Sequence, residues 1–177
     1  NSKIQHLPAF LRPFFKKIIN KSLNEDPKRL SAFWKMLGNL LLYKKVQNIF
    51  GKQLLYGIVG GAYFNDSLQR FFINAGINIY VGYGLTEASP VLATNYPGNN
   101  CIGSVGPAFL NVELKISESG EILGRGRGMM IGYLNESEHN QKTISKDGWL
   151  HTGDQGIITD EGFLKIQGRI KEMLKTS

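Results

Sequence analysis

Two apolar runs, QLLYGIV at 53–59 and INIYVG at 77–82, flank the segment NDSLQRFFINA, and no other pattern in the chain constrains its fold as strongly. Both runs read as buried strands, and the segment between them reads as a helix capped by Asn65 and stopped by Gly76. A strand, a helix and a strand in that order predict a parallel pair joined by a right-handed crossover. Ligands of open parallel sheets sit outside the carboxyl ends of the strands. The loop GGA at 60–62 and the loop YGLTE at 83–87 leave those ends, so both are expected to face one crevice.

Upstream, Leu7, Phe10, Leu11, Phe14, Phe15, Ile18 and Ile19 recur at helical spacing, and Pro13 marks a helix start or a kink. Asp26-Pro27 predicts the opening of a second helix that runs through Trp34 and Leu41 toward Gly51, with Gly38-Asn39 as a point where it could split. Downstream of about Gly98, NVELKIS, GEILGRG, GMMIGY, GIIT and GFLKIQG read as short strands, and the TDEG turn at 159–162 predicts antiparallel hairpins. The expected fold class is therefore α/β. It comprises a basic helical segment over 1–52, a parallel strand-helix-strand unit over 53–98, a small antiparallel β subdomain over 99–168, and a terminal stretch from 169 to 177.

Charge is unevenly spread, and this bears on partners. Residues 1–56 carry eleven Lys and Arg against two acids, a net of +9, whereas residues 57–177 carry ten against twelve, a net of −2. The basic third is either a solvated helical face or a surface for anionic lipid or phosphate-bearing ligands, through which the protein would touch a membrane peripherally. No nucleic-acid-binding motif accompanies the charge, so nucleic acid is not expected as a partner. The stretch LLYGIVGGAYF at 54–64 falls far short of the roughly 18–20 apolar residues of a membrane span. With one cysteine, Cys101, no internal disulfide can form, and His6, His139 and His151 lack metal-ligand spacing; a cytoplasmic setting is expected. The chain starts at Asn1 and stops at KTS, which reads as a piece of something longer.

Thr86-Glu87 admits two readings from the residues themselves. One is a threonine capping a short helix with a glutamate in its first turn. The other is a hydroxyl for a phosphate oxygen beside a carboxylate for magnesium, which takes hard oxygen ligands together with substrate phosphates. GRGRG at 124–128 lacks the spacing of a phosphate loop and reads as a tight turn. His151 and Asp154 in GWLHTGD have no serine of the G-x-S-x-G type to serve, so His151 reads as a packed loop residue. Asp154 is a turn residue by default or an acceptor for paired hydroxyls such as those of ribose.

Order decides what no single motif can. GGA, YGLTEASP, GEILGRGRGMMIGY, GWLHTGD and GFLKIQGRIKEMLKTS, in that succession, resemble the adenylate-forming enzymes, most closely the AMP-forming long-chain acyl-CoA synthetases. The resemblance implies part of the acyl-CoA synthetase-like fold. It implies that Gly60, Gly61 and Ala62 line the adenine and acyl region, that Tyr83, followed by Gly84 and Leu85 in the nucleotide loop, stacks on adenine, and that Thr86 meets the phosphate. It also implies that Glu87 holds Mg2+, that Asp154 takes the ribose hydroxyls with Arg169 on the ribose or phosphate side, and that Lys171 is the hinge to a further C-terminal domain. Thr86 and Glu87 are thus the catalytic pair, and ATP or AMP, Mg2+ and coenzyme A are the expected cofactors and substrates, with a fatty acid as the acid.

Two positions depart from the family pattern: Tyr63 and Arg127 stand where proline is common. The family's upstream Ser/Thr/Gly-rich phosphate loop and its C-terminal essential lysine are not found in these residues, so this chain is expected to be inactive by itself and, with a sheet edge exposed, to self-associate. The alternatives left open are amino-acid or aryl-acid adenylation, and a non-catalytic nucleotide-binding or membrane-surface module.

Overall fold

A computed structural model describes residues 8, 10–51 and 53–170 of the chain; Lys171, the expected hinge, lies outside the described residues. The chain divides into two compact units, one formed by residues 1–58 and 64–79, the other by 59–63 and 80–177. No helix among the described residues is long and apolar enough to cross a membrane.

The first unit is mostly helical. Helix α1 (Arg12–Asn24) carries Pro13 in its first turn, where the missing N–H leaves no bond unmade, and buries Phe15, Ile18 and Ser22 along one face. Asp26-Pro27 opens no helix, contrary to expectation: the Asp26 side chain accepts the Lys28 N–H at 2.8 Å and its carbonyl accepts Arg29 and Leu30, closing a single turn. The local carboxylate bond competes successfully with helix propagation. The next helix begins at Ala32. It runs as α2 (Ala32–Gly38), a π turn (Asn39–Tyr43) and α3 (Lys44–Phe50), with right-handed helical backbone at the joints Gly38, Asn39, Tyr43 and Lys44. Gly38-Asn39 therefore does not split it. A Cβ on Gly38 would stand 2.3 Å from the Tyr43 ring, so the glycine makes room for the ring that the π turn swings across the helix.

Tyr43 is buried with Ile18 and Ala75, and Trp34, Leu37, Leu41, Leu42 and Phe71 pack against the three. Its hydroxyl lies 2.5 Å from Ser22 Oγ, which lies 2.7 Å from the Ile18 carbonyl, so a buried phenol is satisfied inside the core. Burial pushes the Tyr43 phenol above its ordinary pKa, against the opposing bond to Ser22. Helix α4 (Asp66–Asn74) is capped as expected: Asn65 Oδ1 accepts the Leu68 N–H at 3.2 Å. Asn74 Nδ2 donates to the carbonyls of Ser22 and Glu25 at the end of α1. Part of the basic character is used internally, since Lys17 and Lys21 lie over the Trp34 ring at 5.1 and 5.5 Å and Lys21 pairs with Glu25.

Strands β1 (Tyr56–Val59) and β2 (Asn78–Gly84) pass from one unit into the other; β2 buries Ile79, Tyr80 and Val81 as expected, but β1 is shorter than the run QLLYGIV and is not a buried strand, because it lies at the edge of its sheet with Tyr56 and Ile58 exposed. Gly57 faces Ile79 and, three residues on, Gly60 faces Gly82, so the two strands run in the same direction. A strand that the sequence pattern had not revealed, β3 (Val91–Thr94), pairs antiparallel with β2 in the register Gly82 with Thr94 and Tyr83 with Ala93. The sheet is thus mixed, in the order β1-β2-β3; Tyr83 and Gly84 end β2, and LTEASP connects an antiparallel pair. Four residues beside a proline are too few for a readable alternation, and pairing with β2 makes VLAT a strand.

The remainder of the second unit is an antiparallel sheet in the order β4 (Val112–Ile116), β5 (Glu121–Gly126), β6 (Leu150–Ile158) and β7 (Leu164–Arg169). The β6–β7 hairpin closes through Thr159 and Gly162. LHTGD and GII, from segments read as a loop motif and a separate short strand, belong to the single long strand β6. GRGRG is split: 124–126 end β5 and the turn follows. GMMIGY is not a strand; it runs irregularly, with the Met130 N–H bonded to the Glu87 carbonyl at 2.7 Å, toward helix α5 (Ser137–Thr143). Two buried clusters, Ala88 with Leu92 and Leu150, and Ala93 with Ile122 and Leu164, form the core of this unit.

Candidate nucleotide site

The end of β2 is shaped by close backbone approach. A Cβ on Gly84 would lie 1.7 Å from the Pro90 carbonyl oxygen and 2.9 Å from Val91 Cα, so the returning chain presses directly on residue 84. The β2–β3 register shifts there, between Tyr83 and Gly84. Leu85 packs against the Ala88, Leu92 and Leu150 cluster and anchors the loop from below. The chain then makes a 3-10 turn, Thr86–Ala88, with Glu87 in it and Ser89 left-handed at φ 55°. Leu85, not Thr86, stands at the cap position, and no side-chain bond caps the turn. Thr86 is exposed and Glu87 half-buried. Gly60, Gly61 and Ala62 form an exposed turn after β1, with Gly61 at φ +80°.

Three of the sequence-identified residues meet. The Tyr83 hydroxyl donates to Asp154 Oδ2 at 2.6 Å, and Arg169 Nε lies 3.0 Å from Asp154 Oδ1. Asp154 and Arg169 are register partners on β6 and β7, and Asp154, at 6% exposure, is a buried strand residue, not a turn residue. Each carboxylate oxygen keeps a second lone pair, so Asp154 retains acceptor capacity after both contacts. Burial, and secondly the bond to Asp154, push the Tyr83 phenol well above its ordinary pKa, so it remains a donor. The Arg169 charge also acts on Glu87.

Glu87 has a partner that sequence reasoning missed. The Tyr133 hydroxyl donates to Glu87 Oε1 at 2.6 Å, and this bond holds the Glu87 carboxyl below its ordinary pKa while raising the Tyr133 phenol. Nothing near either residue in the chain signals a pair separated by 46 positions. His151 is a strand residue of β6, its Nδ1 2.8 Å from Glu121 Oε2, whose other oxygen accepts the Gly153 N–H. Trp149 is clamped by Lys115 at 4.0 Å and Arg125 at 4.5 Å. Among the described residues no cluster of three or more His, Cys, Asp or Glu could hold a metal alone. The one anionic carboxylate of Glu87 nevertheless suits magnesium, which takes one or two carboxylates and completes its shell with phosphates and water.

Residues 9–134 match the family "AMP-binding enzyme", and the chain belongs to that family, the adenylate-forming enzymes that include the acyl-CoA synthetases. Among its relatives, the Long-chain-fatty-acid--CoA ligase FadD15 of Mycobacterium bovis is 36% identical over 137 residues, 77% of this chain and 23% of that protein. The 4-coumarate--CoA ligase 1 of Glycine max is 41% identical over 131 residues, 65% of this chain and 44% of that protein. The O-succinylbenzoate coenzyme A synthetase MenE from Bacillus subtilis, in complex with ATP and magnesium ion, superposes with a TM-score of 0.60 at 28% identity over 66% of this chain and 26% of that one. Apo MatB from Rhodopseudomonas palustris, at 22% identity, shares the fold with a TM-score of 0.64 over 87% of this chain and 32% of its own. The chain spans about a quarter of the length of FadD15.

Proposed function

We propose that the protein carrying this chain is an AMP-forming acyl-CoA ligase for long-chain fatty acids. A carboxylate oxygen attacks the α-phosphorus of ATP, pyrophosphate leaves, and the thiol of coenzyme A then displaces AMP from the acyl-adenylate. The observation that carries this reading is the meeting of Tyr83, Asp154 and Arg169 in the unit that also presents Thr86 and Glu87. Kinship with FadD15 supports the long-chain acid.

In this reading Gly60, Gly61 and Ala62 flank the adenine and the acyl group, and the Tyr83 ring supplies a stacking face. The free lone pairs of Asp154 accept the ribose hydroxyls, with Arg169 beside them. The Thr86 hydroxyl donates to a phosphate oxygen, and Glu87, kept anionic by Tyr133, would hold magnesium. When bound, magnesium neutralises phosphate charge. The protein's contribution is to position the reactants and to present preorganised donors. Lys171 is the proposed pivot for the second half-reaction.

The test is coenzyme A-dependent thioester formation and pyrophosphate release by the protein carrying this chain, with palmitate, 4-coumarate and amino acids offered in parallel. Turnover of palmitate is expected. Turnover confined to 4-coumarate would replace the fatty-acid reading by the aryl-acid one, which the 41% identity to 4-coumarate--CoA ligase 1 favours as runner-up. Turnover of amino acids alone, or nucleotide binding with no turnover, would overturn both. Residues 1–177 expressed alone are expected to release no pyrophosphate; robust release would show the catalytic groups to be wrongly assigned.

A further inference from the structure

The contacts around Glu87 extend beyond the loop that carries it. Its backbone carbonyl accepts the Met130 N–H at 2.7 Å, and its carboxylate accepts the Tyr133 hydroxyl at 2.6 Å, so segment 130–133 grips Glu87 at two points. Tyr133 is itself bracketed. Asn140, on α5, accepts the Tyr133 N–H through Oδ1 at 2.6 Å and donates through Nδ2 to the Tyr133 carbonyl at 2.8 Å, as a neighbouring strand would. The Tyr133 ring rests against His139, with centroids 4.9 Å apart. The tyrosine is therefore held in backbone and ring before its hydroxyl reaches the carboxylate.

A glutamate side chain has rotatable bonds to spare, and an unanchored carboxylate must be ordered each time it takes a ligand. Capture of Oε1 by a fixed phenol removes that freedom and leaves Oε2 outside the bond to Tyr133. We propose that Tyr133, braced by Asn140, is a positioning residue that fixes Glu87 as a one-oxygen ligand for the metal of a metal-nucleotide complex. The inference rests on the reading of Glu87 given above.

The experiment compares Tyr133→Phe, Asn140→Ala, Glu87→Gln and the double variant Glu87→Gln/Tyr133→Phe in the protein carrying this chain. Calorimetric titration with ATP is run twice, with excess Mg2+ and with EDTA, and the Mg2+ dependence of pyrophosphate release is measured alongside. Tyr133→Phe is expected to weaken Mg-ATP binding roughly tenfold, the scale of one lost hydrogen bond to a charged group, and to leave metal-free ATP binding unchanged. Asn140→Ala should shift Mg-ATP binding in the same direction. In the Glu87→Gln background, Tyr133→Phe should add nothing, because its effect runs through the carboxylate. Unchanged metal-free binding also shows that the variants are folded. A Tyr133→Phe protein with wild-type Mg-ATP binding, while Glu87→Gln is impaired, would overturn the positioning role alone. Glu87→Gln with wild-type Mg-ATP binding would overturn the magnesium assignment and the inference with it. Equal weakening with and without metal would reduce Tyr133 to a structural residue.

Discussion

Replacing Tyr83 with Phe deletes one oxygen and keeps the ring, which isolates the bond to Asp154. That bond is 2.6 Å long and ends on a carboxylate that is 6% exposed, so water cannot freely replace the lost donor. A hydrogen bond to a charged group contributes about 1.5–3 kcal/mol, and Tyr83→Phe should lose stability in that range. The other partner of Asp154 differs. The Arg169 side chain is 65% exposed, which puts its ion pair near the surface value of about 0–1 kcal/mol, falling further with salt. Urea unfolding of the protein carrying this chain should therefore rank Tyr83→Phe as more damaging than Arg169→Ala, with only the arginine variant losing its penalty in high salt. The pH dependence carries an independent sign. The Tyr83 phenol is raised in the folded state by burial and by Asp154, so its contribution is complete below the unfolded pKa of about 10 and is lost as pH rises above it. Wild type should weaken more steeply above pH 10 than Tyr83→Phe. Arg169→Ala costing more than Tyr83→Phe, or equal alkaline slopes, would refute the reasoning.

Gly84→Ala places a Cβ 1.7 Å from the Pro90 carbonyl oxygen, a backbone atom with no rotamer to escape into; a loss of at least about 1–3 kcal/mol is expected by thermal unfolding, and a neutral variant would show that β2 and β3 can part there. Ser22→Ala leaves the buried Tyr43 hydroxyl without its partner and should cost about 1–3 kcal/mol in urea, with recovery in Ser22→Ala/Tyr43→Phe. Asn65→Ala removes the cap of α4 and should cost about 0.5–2 kcal/mol, with Asn65→Asp close to wild type, as read by circular dichroism during unfolding.

Signals confined to a few neighbouring residues survive intact from sequence to structure. The apolar run of β2, the Asn65 cap and the TDEG hairpin are of this kind, because each is set by periodicity or by a bond spanning three or four residues, whereas the run before Gly60 told of a strand but not that it would lie exposed at the sheet edge. The ordered motifs single out Tyr83, Asp154 and Arg169, which the fold brings together. Other features required the folded chain. Asp26 could have begun a helix, and its own carboxylate chose a turn instead. VLAT is a strand because β2 lies beside it, and GMMIGY is not one because its Met130 N–H bonds to Glu87 and not to a ladder. Tyr83 finds Asp154 across 71 positions and Tyr133 finds Glu87 across 46. Local composition decides which backbone shapes a segment can adopt at low energy; which donor meets which distant carboxylate depends on the packing of β2, β3, β6 and the 130–133 segment, and only the tertiary structure supplies that.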